Sequence, residues 1–232
     1  MMRLLRILPL LVLASLAHAA GVPEEMRAAL AGFRTEGPFG WAFTQASSDG
    51  RNSLTETYDP SQAEPFRWTL VSRNGVPATE EDRKEYQQSK LIRTSALDAP
   101  RLERQLDLDS CEEQSVSERW LKCTFRLKPG EQHDDAHANL SVLVTLDRPS
   151  RTITEVEISS LRPFAPVFGV RIESSRTLLS YSLPEEGKPS LLLRAQITVE
   201  GRAFWFKSLN QRLEINWSQH RFAGHGRSKQ GS

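Results

Sequence analysis

One short segment has the composition of a metal site. The two histidines of His133–His137 (HDDAH) are four residues apart, with two aspartates between them. On a helix this spacing would put both imidazoles on one face, and imidazole with carboxylate is a donor set for divalent transition metals. However, the segment follows Pro129-Gly130 and precedes Asn139, which is typical of a loop between strands. We therefore interpret it as a solvated loop and predict no metal site and no cofactor.

Acidic and nucleophilic residues form no known catalytic motif. Glu56 and Asp59 are close enough in sequence to suggest a pair of carboxylates. Asp59 precedes a proline, however, where its side chain favours bonding the following backbone of a turn. The chain has no G-x-S-x-G elbow, no glycine-rich phosphate loop and no H-E-x-x-H helix. We therefore predict that the protein is not an enzyme, and that residues 59–61 turn a hairpin between strands ending at Tyr58 and beginning at Trp68.

Aromatic residues are the better candidates for a binding site. Phe164 and Phe168 belong to the apolar run 162–170 (RPFAPVFGV), whose two prolines exclude it from a central strand. Their side chains either plug one end of a β-structure or line the mouth of a pocket. The run 204–206 (FWF) puts aromatic side chains on both faces of one strand. One of those faces must meet a helix, a loop or a ligand.

The elements that would position these residues are mostly β-strands. The clearest period-2 alternation is formed by Leu191, Leu193, Ala195, Ile197 and Val199. Similar alternation occurs over 121–127, 140–146 and 213–217. Such patterns indicate sheets with one apolar face, and turns at short intervals indicate antiparallel strands. We predict a mainly β fold, a curved antiparallel sheet or half-open β-barrel of about ten strands with two helices packed on it.

Two segments have helical patterns. Glu24–Phe33 has acids in its first turn and an apolar stripe made of Met26, Leu30 and Phe33. The second helix is predicted over Glu80–Arg93. Thr79 is a good N-cap for it, and Asp82 three residues later makes a weaker version of the capping box. Its surface is mostly polar, so we expect only a few side chains, Tyr86 and Leu91, to pack this helix on the sheet.

The N-terminus has the pattern of a cleavable secretory signal. Arg3 and Arg6 precede the apolar run Ile7–Leu16, and Ala17–Ala19 (AHA) has the small-x-small pattern of a cleavage site. The run is too short to span a bilayer, which needs about 20 residues. The predicted organisation is a signal peptide at 1–19, a single β domain at 20–223 and a disordered tail at 224–232.

Charge and the predicted export limit the possible partners. Without residues 1–19, the chain keeps 28 of its 30 Lys+Arg against 29 Asp+Glu, a formal charge of −1. This balance excludes a typical nucleic-acid binder, which needs a concentrated basic face. We predict an exported protein that is soluble after signal cleavage, in the periplasm or in the medium.

The two cysteines are interpreted together. Cys111 and Cys123 have no C-x-x-C spacing, so they form neither a redox motif nor a zinc site. Paired thiols oxidise in exported proteins. We predict a disulfide between them, which would contribute about 2 to 3 kcal/mol. The alternative is two free buried thiols.

The order of several short motifs resembles a known group of proteins. The motifs are WAFT at 41–44, ETYDPS at 56–61, WTL at 68–70, NGVPAT at 74–79, PFAP at 163–166 and VEGRAF at 199–204. Together they resemble exported proteins of Gram-negative bacteria that are similar to the periplasmic lipoprotein carrier and receptor superfamily, the LolA/LolB-like fold. The resemblance covers about Trp41 to Phe222.

The resemblance implies a half-open antiparallel barrel whose apolar cavity is covered by helices and accepts acyl chains. The expected function is a non-enzymatic periplasmic protein that shelters lipid or the acyl chains of a lipoprotein. The predicted cavity residues are Trp41, Phe43, Trp68, Phe164, Phe168, Phe204, Trp205, Phe206 and Trp217. The alternative is a structural or interaction protein of the cell envelope, with an envelope protein as partner and a core filled by its own side chains.

Overall fold

The fold was analysed in a computed structural model. It describes residues 21–63, 66–93, 101–129, 135–204 and 206–224. The predicted signal peptide, the tail beyond Gly224, Trp205 and the first two residues of the HDDAH segment therefore lie outside the described residues. The helices are α1 (Glu24–Gly32), α2 (Glu80–Arg93), α3 (Leu102–Gln105) and α4 (Asp135–Ala138).

Thirteen strands account for most of the described chain. The first six are β1 (Trp41–Ser48), β2 (Ser53–Tyr58), β3 (Trp68–Arg73), β4 (Val76–Pro77), β5 (Leu106–Val116) and β6 (Trp120–Leu127). The next four are β7 (Leu140–Asp147), β8 (Thr152–Ser160), β9 (Phe164–Val167) and β10 (Val170–Tyr181). The last three are β11 (Leu192–Ala203), β12 (Lys207–Ser208) and β13 (Gln211–Phe222).

All the strands belong to one open antiparallel sheet in the order β4-β3-β2-β1-β13-β11-β10-β8-β7-β6-β5. The short strands β9 and β12 pair with β10 and β11, off this path. The prediction of a mainly β, antiparallel fold is confirmed. The sheet is not closed, and its thirteen strands exceed the predicted ten because β4, β9 and β12 are pairings of only two to four residues.

The two faces of the sheet differ sharply in chemistry. The strand register puts the buried apolar residues of the two cores on one face of the sheet. Helices α1 and α2 pack on the same face, which is here called the helix face. The other face carries ion pairs such as Arg176–Glu157 and Arg194–Glu214. An antiparallel sheet with one packed face and one wet face is the arrangement that the alternation predicted.

Two separate cores lie on the helix face. The larger core joins Met26 and Leu30 of α1 to strands β5–β8, where Phe125 is fully buried. The smaller core joins Tyr86 of α2 to Leu70 of β3. The larger core lies towards the β5 end of the sheet and the smaller one towards the β4 end. The strands between them therefore have a different environment from either end.

Local signals in the sequence are reproduced at both helices. Helix α2 has the predicted bounds, and its capping box forms as the Thr79 hydroxyl accepts from the Asp82 amide at 3.1 Å. The Asp82 carboxylate in turn accepts the Thr79 amide proton at 2.9 Å. In α1, Met26 and Leu30 are fully buried. Helix α1 ends one residue before the predicted Phe33, which is only partly buried.

The alternation predicted over 191–199 is only partly correct. Ala195 and Ile197 share the helix face, since their register partners are Leu179 and Thr177 of β10. The pairing of β10 with β11 shifts between Ser180 and Tyr181, however, which leaves Leu193 at a β-bulge. Leu193 is 40% exposed, so the prediction that it shares the buried face was wrong.

No helix in the described part of the chain is long and apolar enough to cross a membrane.

Candidate functional site

An apolar stripe runs along the middle of the helix face, on β11 and β13. The register pairs Ala195 with Ile215 and Ile197 with Leu213. Val199 continues the row of side chains on β11, and Trp217 continues the row on β13. The stripe therefore consists of Ala195, Ile197, Val199, Leu213, Ile215 and Trp217. Ala195 is buried and the other five side chains are half-buried. The two rows are staggered, with Val199 level with Gln211, so the stripe spans six residue steps and is about 20 Å long.

The helices dock on either side of the stripe. Helix α2 packs chiefly against β3, and α1 packs against β8. The sheet order puts β13 and β11 between these two regions. The stripe is therefore an apolar surface with a helix on each flank, which is the kind of site that takes an apolar ligand.

Small polar side chains border the stripe on its two neighbouring strands. On β1, Ser47 lies opposite Ile215, and Gln45 lies opposite Trp217. On β10, Thr177 is the register partner of Ile197. Hydroxyl and amide groups beside an apolar floor can hold the polar end of an amphipathic ligand.

One end of the stripe meets a cluster of aromatic rings. The ring centroids of Phe43 and Tyr58 are 5.0 Å apart, and those of Tyr58 and Trp68 are 4.9 Å apart. His220 approaches Phe43 at 6.2 Å, and its Nε2 lies 3.1 Å from the Leu192 carbonyl oxygen. Burial lowers the pKa of His220 from its ordinary value. These rings fill the space at the end of β1, β2 and β3 by packing on one another.

Trp41 extends this cluster towards the last strand. It is half-buried at the start of β1, and its ring is 5.7 Å from that of Phe222. The structure thus brings four of the predicted cavity residues to one part of the helix face: Trp41, Phe43, Trp68 and Trp217.

The other described cavity residues lie elsewhere, and the prediction of one shared cavity was wrong for them. Phe168, Phe204 and Phe206 lie at the turns beyond the far ends of β10 and β11. Phe43 is level with His220 on β13, whereas Val199, four residues before the end of β11, is level with Gln211. Nine residues of strand make about 30 Å, so these rings cannot share a pocket with Phe43.

Phe164 lies with this second group. It pairs with Ile172 through β9 and is half-buried, whereas Phe168 is 98% exposed. The sequence left open whether these two side chains plug the fold or line a pocket mouth. Phe168 does neither, because its ring projects into solvent.

The recesses on the surface of the described residues include the following two. One of about 380 Å³ is lined by Leu213 of the stripe together with Leu54 and polar residues of the β1–β2 turn. It marks the end of the stripe opposite the aromatic cluster. The other, of about 730 Å³, is lined by residues that include Glu118, Arg119 and Asp147. It contains no predicted site residue.

The carboxylates considered for catalysis serve structural roles. Glu56 is buried and accepts hydrogen bonds from the Tyr86 hydroxyl and from Gln45 at 2.9 Å. Asp59 accepts the Ser61 amide at 3.0 Å, which confirms the predicted turn. Hydrogen bonds from Ser61, aided by Arg221, lower the pKa of Asp59. The two carboxylates thus have separate partners.

The described residues contain no group of three or more metal-ligating side chains that could hold an ion. His137 lies in the short helix α4. Residues 135–137 are therefore helical and not the predicted loop, whereas His133 and Asp134 lie outside the described residues, so the prediction that the HDDAH segment holds no metal stays a prediction.

Cys111 and Cys123 are free thiols in this structure, without the predicted disulfide. Cys123 lies opposite Glu113 in the pairing of β5 with β6, and the thiols of Cys111 and Cys123 are hydrogen-bonded to each other. The pairing of these strands is irregular between Asp107 and Glu112, the segment that contains Cys111. Burial raises the pKa of both thiols, that of Cys123 to about 12.

Several residues of this region were not predicted as site residues. Leu213 and Ile215 were interpreted only as strand residues, although their alternation with Trp217 was visible. His220 had no sequence signal, because only the pairing of β13 with β1 brings it to Phe43.

Comparison with protein-family models finds no match for this chain, and comparisons with curated proteins and with solved structures find none either.

Proposed function

We propose that this chain is a non-enzymatic binding protein of the periplasm that shelters an apolar ligand along the stripe. The ligand class is lipid or the acyl chains of a lipoprotein, as the resemblance to the LolA/LolB-like carriers implies. Export through the signal peptide at 1–19 and solubility after its cleavage are parts of the same proposal.

One observation carries the proposal. The stripe has the chemistry of a protein core, yet five of its six side chains are only half-buried. The helices that bury the two cores pack chiefly to either side of it. Acyl chains would bury this surface, and each methylene removed from water contributes about 0.8 kcal/mol.

The first test is native mass spectrometry of the protein purified from periplasm, with lipid extraction in parallel. We expect a co-purified lipid. A fluorescent fatty acid then measures binding at micromolar concentration. Empty protein together with no fatty-acid binding contradicts the proposal.

Matched variants locate the ligand. Ile197→Gln puts an amide in the stripe, whereas Thr198→Gln puts the same group on the opposite face of β11. We expect Ile197→Gln to weaken fatty-acid binding and Thr198→Gln to leave it unchanged. Equal effects of the two substitutions would show that the ligand does not lie on the stripe.

A second function is favoured by the aromatic cluster. Phe43, Tyr58 and Trp68 pack on one another, as in a core filled by its own side chains. The protein would then be a structural or interaction protein of the cell envelope, without a ligand. Cross-linking in cells distinguishes the two functions. The structural or interaction protein should be cross-linked to an envelope protein, although it carries no lipid when purified.

A further inference from the structure

Four apolar side chains form an exposed group at one end of the sheet, here called the aromatic tip: Val167, Phe168, Phe204 and Phe206. They are 61%, 98%, 56% and 88% exposed, respectively. The tip combines two turns, the one between β9 and β10 and the one between β11 and β12. Exposed apolar residues that are grouped in this way mark interaction sites, whereas scattered ones need no explanation.

Backbone pairing brings the two turns together. Val170 is the register partner of Ala203, and the Phe204 amide donates to the Gly169 carbonyl oxygen at 2.7 Å. The Phe204 ring lies against Gly169, where an added Cβ would be 3.0 Å from the ring. Behind the tip, a Cβ on Gly201 would be 2.4 Å from the Arg171 carbonyl oxygen. The tip is therefore held in place by close contact between β10 and β11.

Basic residues surround the aromatic tip. Arg171 and Arg202 are register partners on β10 and β11, and like charges directly opposite each other are unfavourable. Arg171 has an ion pair with Glu173 at 2.9 Å. Arg202 and Lys207 have no ion pair with any described residue. An anionic partner would offset this concentration of positive charge.

The acidic residues of this end do not neutralise it. Glu173 is engaged with Arg171, and the Glu200 carboxylate accepts a hydrogen bond from the Ser174 hydroxyl at 3.0 Å. The three cations around the tip thus outnumber its two carboxylates. Of the cations, Arg202 and Lys207 are the nearest in sequence to Phe204 and Phe206.

We propose that the aromatic tip docks the protein on an anionic lipid bilayer, with Phe168 and Phe206 entering the interface and Arg202 and Lys207 contacting lipid phosphates. Apolar side chains flanked by Arg and Lys are the combination that binds anionic membrane surfaces. The rings project from the ends of strands, which suits insertion between headgroups better than packing on a protein surface. This docking does not require a ligand on the apolar stripe.

Vesicle flotation of the purified protein tests the proposal. Vesicles of phosphatidylcholine alone are compared with vesicles that also contain phosphatidylglycerol. We expect binding to the anionic vesicles, weakened by salt. Phe168→Ser and Phe206→Ser should each weaken binding about tenfold. Arg202→Gln and Lys207→Gln should each weaken it about fivefold, and only for anionic vesicles.

Matched controls separate docking from general effects. Phe66→Ser removes an equally apolar ring that is 56% exposed at the β2–β3 turn. Arg27→Gln removes an exposed charge on α1. Both should bind vesicles like the unaltered protein, and circular dichroism should show all variants folded.

Three results would overturn the proposal. The first is an unaltered protein that floats with neither vesicle. The second is an equal loss of binding in Phe66→Ser and Phe168→Ser. The third is an unaltered protein that does not bind vesicles but sediments as a dimer, while the Phe168→Ser, Phe206→Ser double variant sediments as a monomer. That result would assign the tip to contact with a second copy of the chain.

Discussion

The hydroxyl of Tyr86 on α2 donates a hydrogen bond to the buried carboxylate of Glu56 on β2. Gln45 donates to the same carboxylate from β1 at 2.9 Å. One buried acid thus joins α2 to the first two strands of the sheet. A buried carboxylate needs such donors, because it loses its hydration on folding.

Tyr86→Phe should therefore destabilise the protein although it removes only one oxygen. We expect a loss of about 1 to 3 kcal/mol in the free energy of unfolding, because the acceptor stays buried. Urea unfolding followed by circular dichroism measures it. Glu85→Gln, an exposed position on the same helix, is the control and should change little. An unchanged stability of Tyr86→Phe would mean that this hydrogen bond does not hold α2 on the sheet.

The two glycines Gly201 and Gly32 should respond oppositely to alanine. A Cβ at Gly201 would lie 2.4 Å from the Arg171 carbonyl oxygen, so backbone must move. We expect Gly201→Ala to cost about 1 to 3 kcal/mol. Gly32 ends α1 and has nothing within 4 Å of an added Cβ, so Gly32→Ala should be neutral or stabilising by up to about 1 kcal/mol. Thermal unfolding of both variants is the measurement, and a stable Gly201→Ala protein would contradict the close approach of β10 and β11.

The two thiols should differ in their reaction with iodoacetamide. Cys123 is fully buried and its pKa is raised to about 12, so little reactive thiolate forms at neutral pH. Cys111 is half-buried and should be labelled first in the native protein. In urea without reductant, both thiols should be labelled. Absence of label in urea would instead reveal the disulfide that the sequence predicted.

The ion pair between Glu157 and Arg176 should make stability depend on acid pH. The Arg176 guanidinium donates to both carboxylate oxygens, at 2.9 and 2.7 Å, and lowers the pKa of Glu157. A carboxylate with a lowered folded-state pKa contributes stability above its ordinary value of 4.5, and this contribution is lost as pH falls through the folded-state pKa.

Arg176→Gln should move the pKa of Glu157 back up and reduce the loss of stability below pH 4.5. Carboxyl NMR titration reports the first change and acid unfolding the second. Arg194→Gln removes the comparable pair with Glu214 and should leave the pKa of Glu157 unchanged. An unshifted Glu157 in Arg176→Gln would show that the pair is not formed in solution.

Core packing of α1 offers a further test. Leu30 is fully buried between α1 and the larger core. Leu30→Ala should cost about 2 to 5 kcal/mol, because it leaves a cavity. Arg27→Ala, on the exposed side of the same helix, should change stability little. Chemical unfolding compares them, and similar losses would mean that α1 is not anchored by its apolar stripe.

The sequence predicted the features that depend on neighbouring residues. The capping box fixed the start of α2 because Thr79 and Asp82 bond each other's backbone amides. The turn at Asp59 was predicted because that side chain bonds the amide two residues on. The predicted cavity residues do not all lie together, because more than about 30 Å of strand separates the level of Phe43 from that of Phe204.

Alternating side chains determined by themselves that this chain forms a sheet with one apolar face, because side chains in a strand point to opposite faces in turn. Only the tertiary structure decided which strands are neighbours. The return of β13 between β1 and β11 assembles the apolar stripe. The irregular pairing of β5 puts Glu113, and not Cys111, opposite Cys123. Strand partners and bulges depend on contacts between residues far apart in sequence, and no local pattern encodes them.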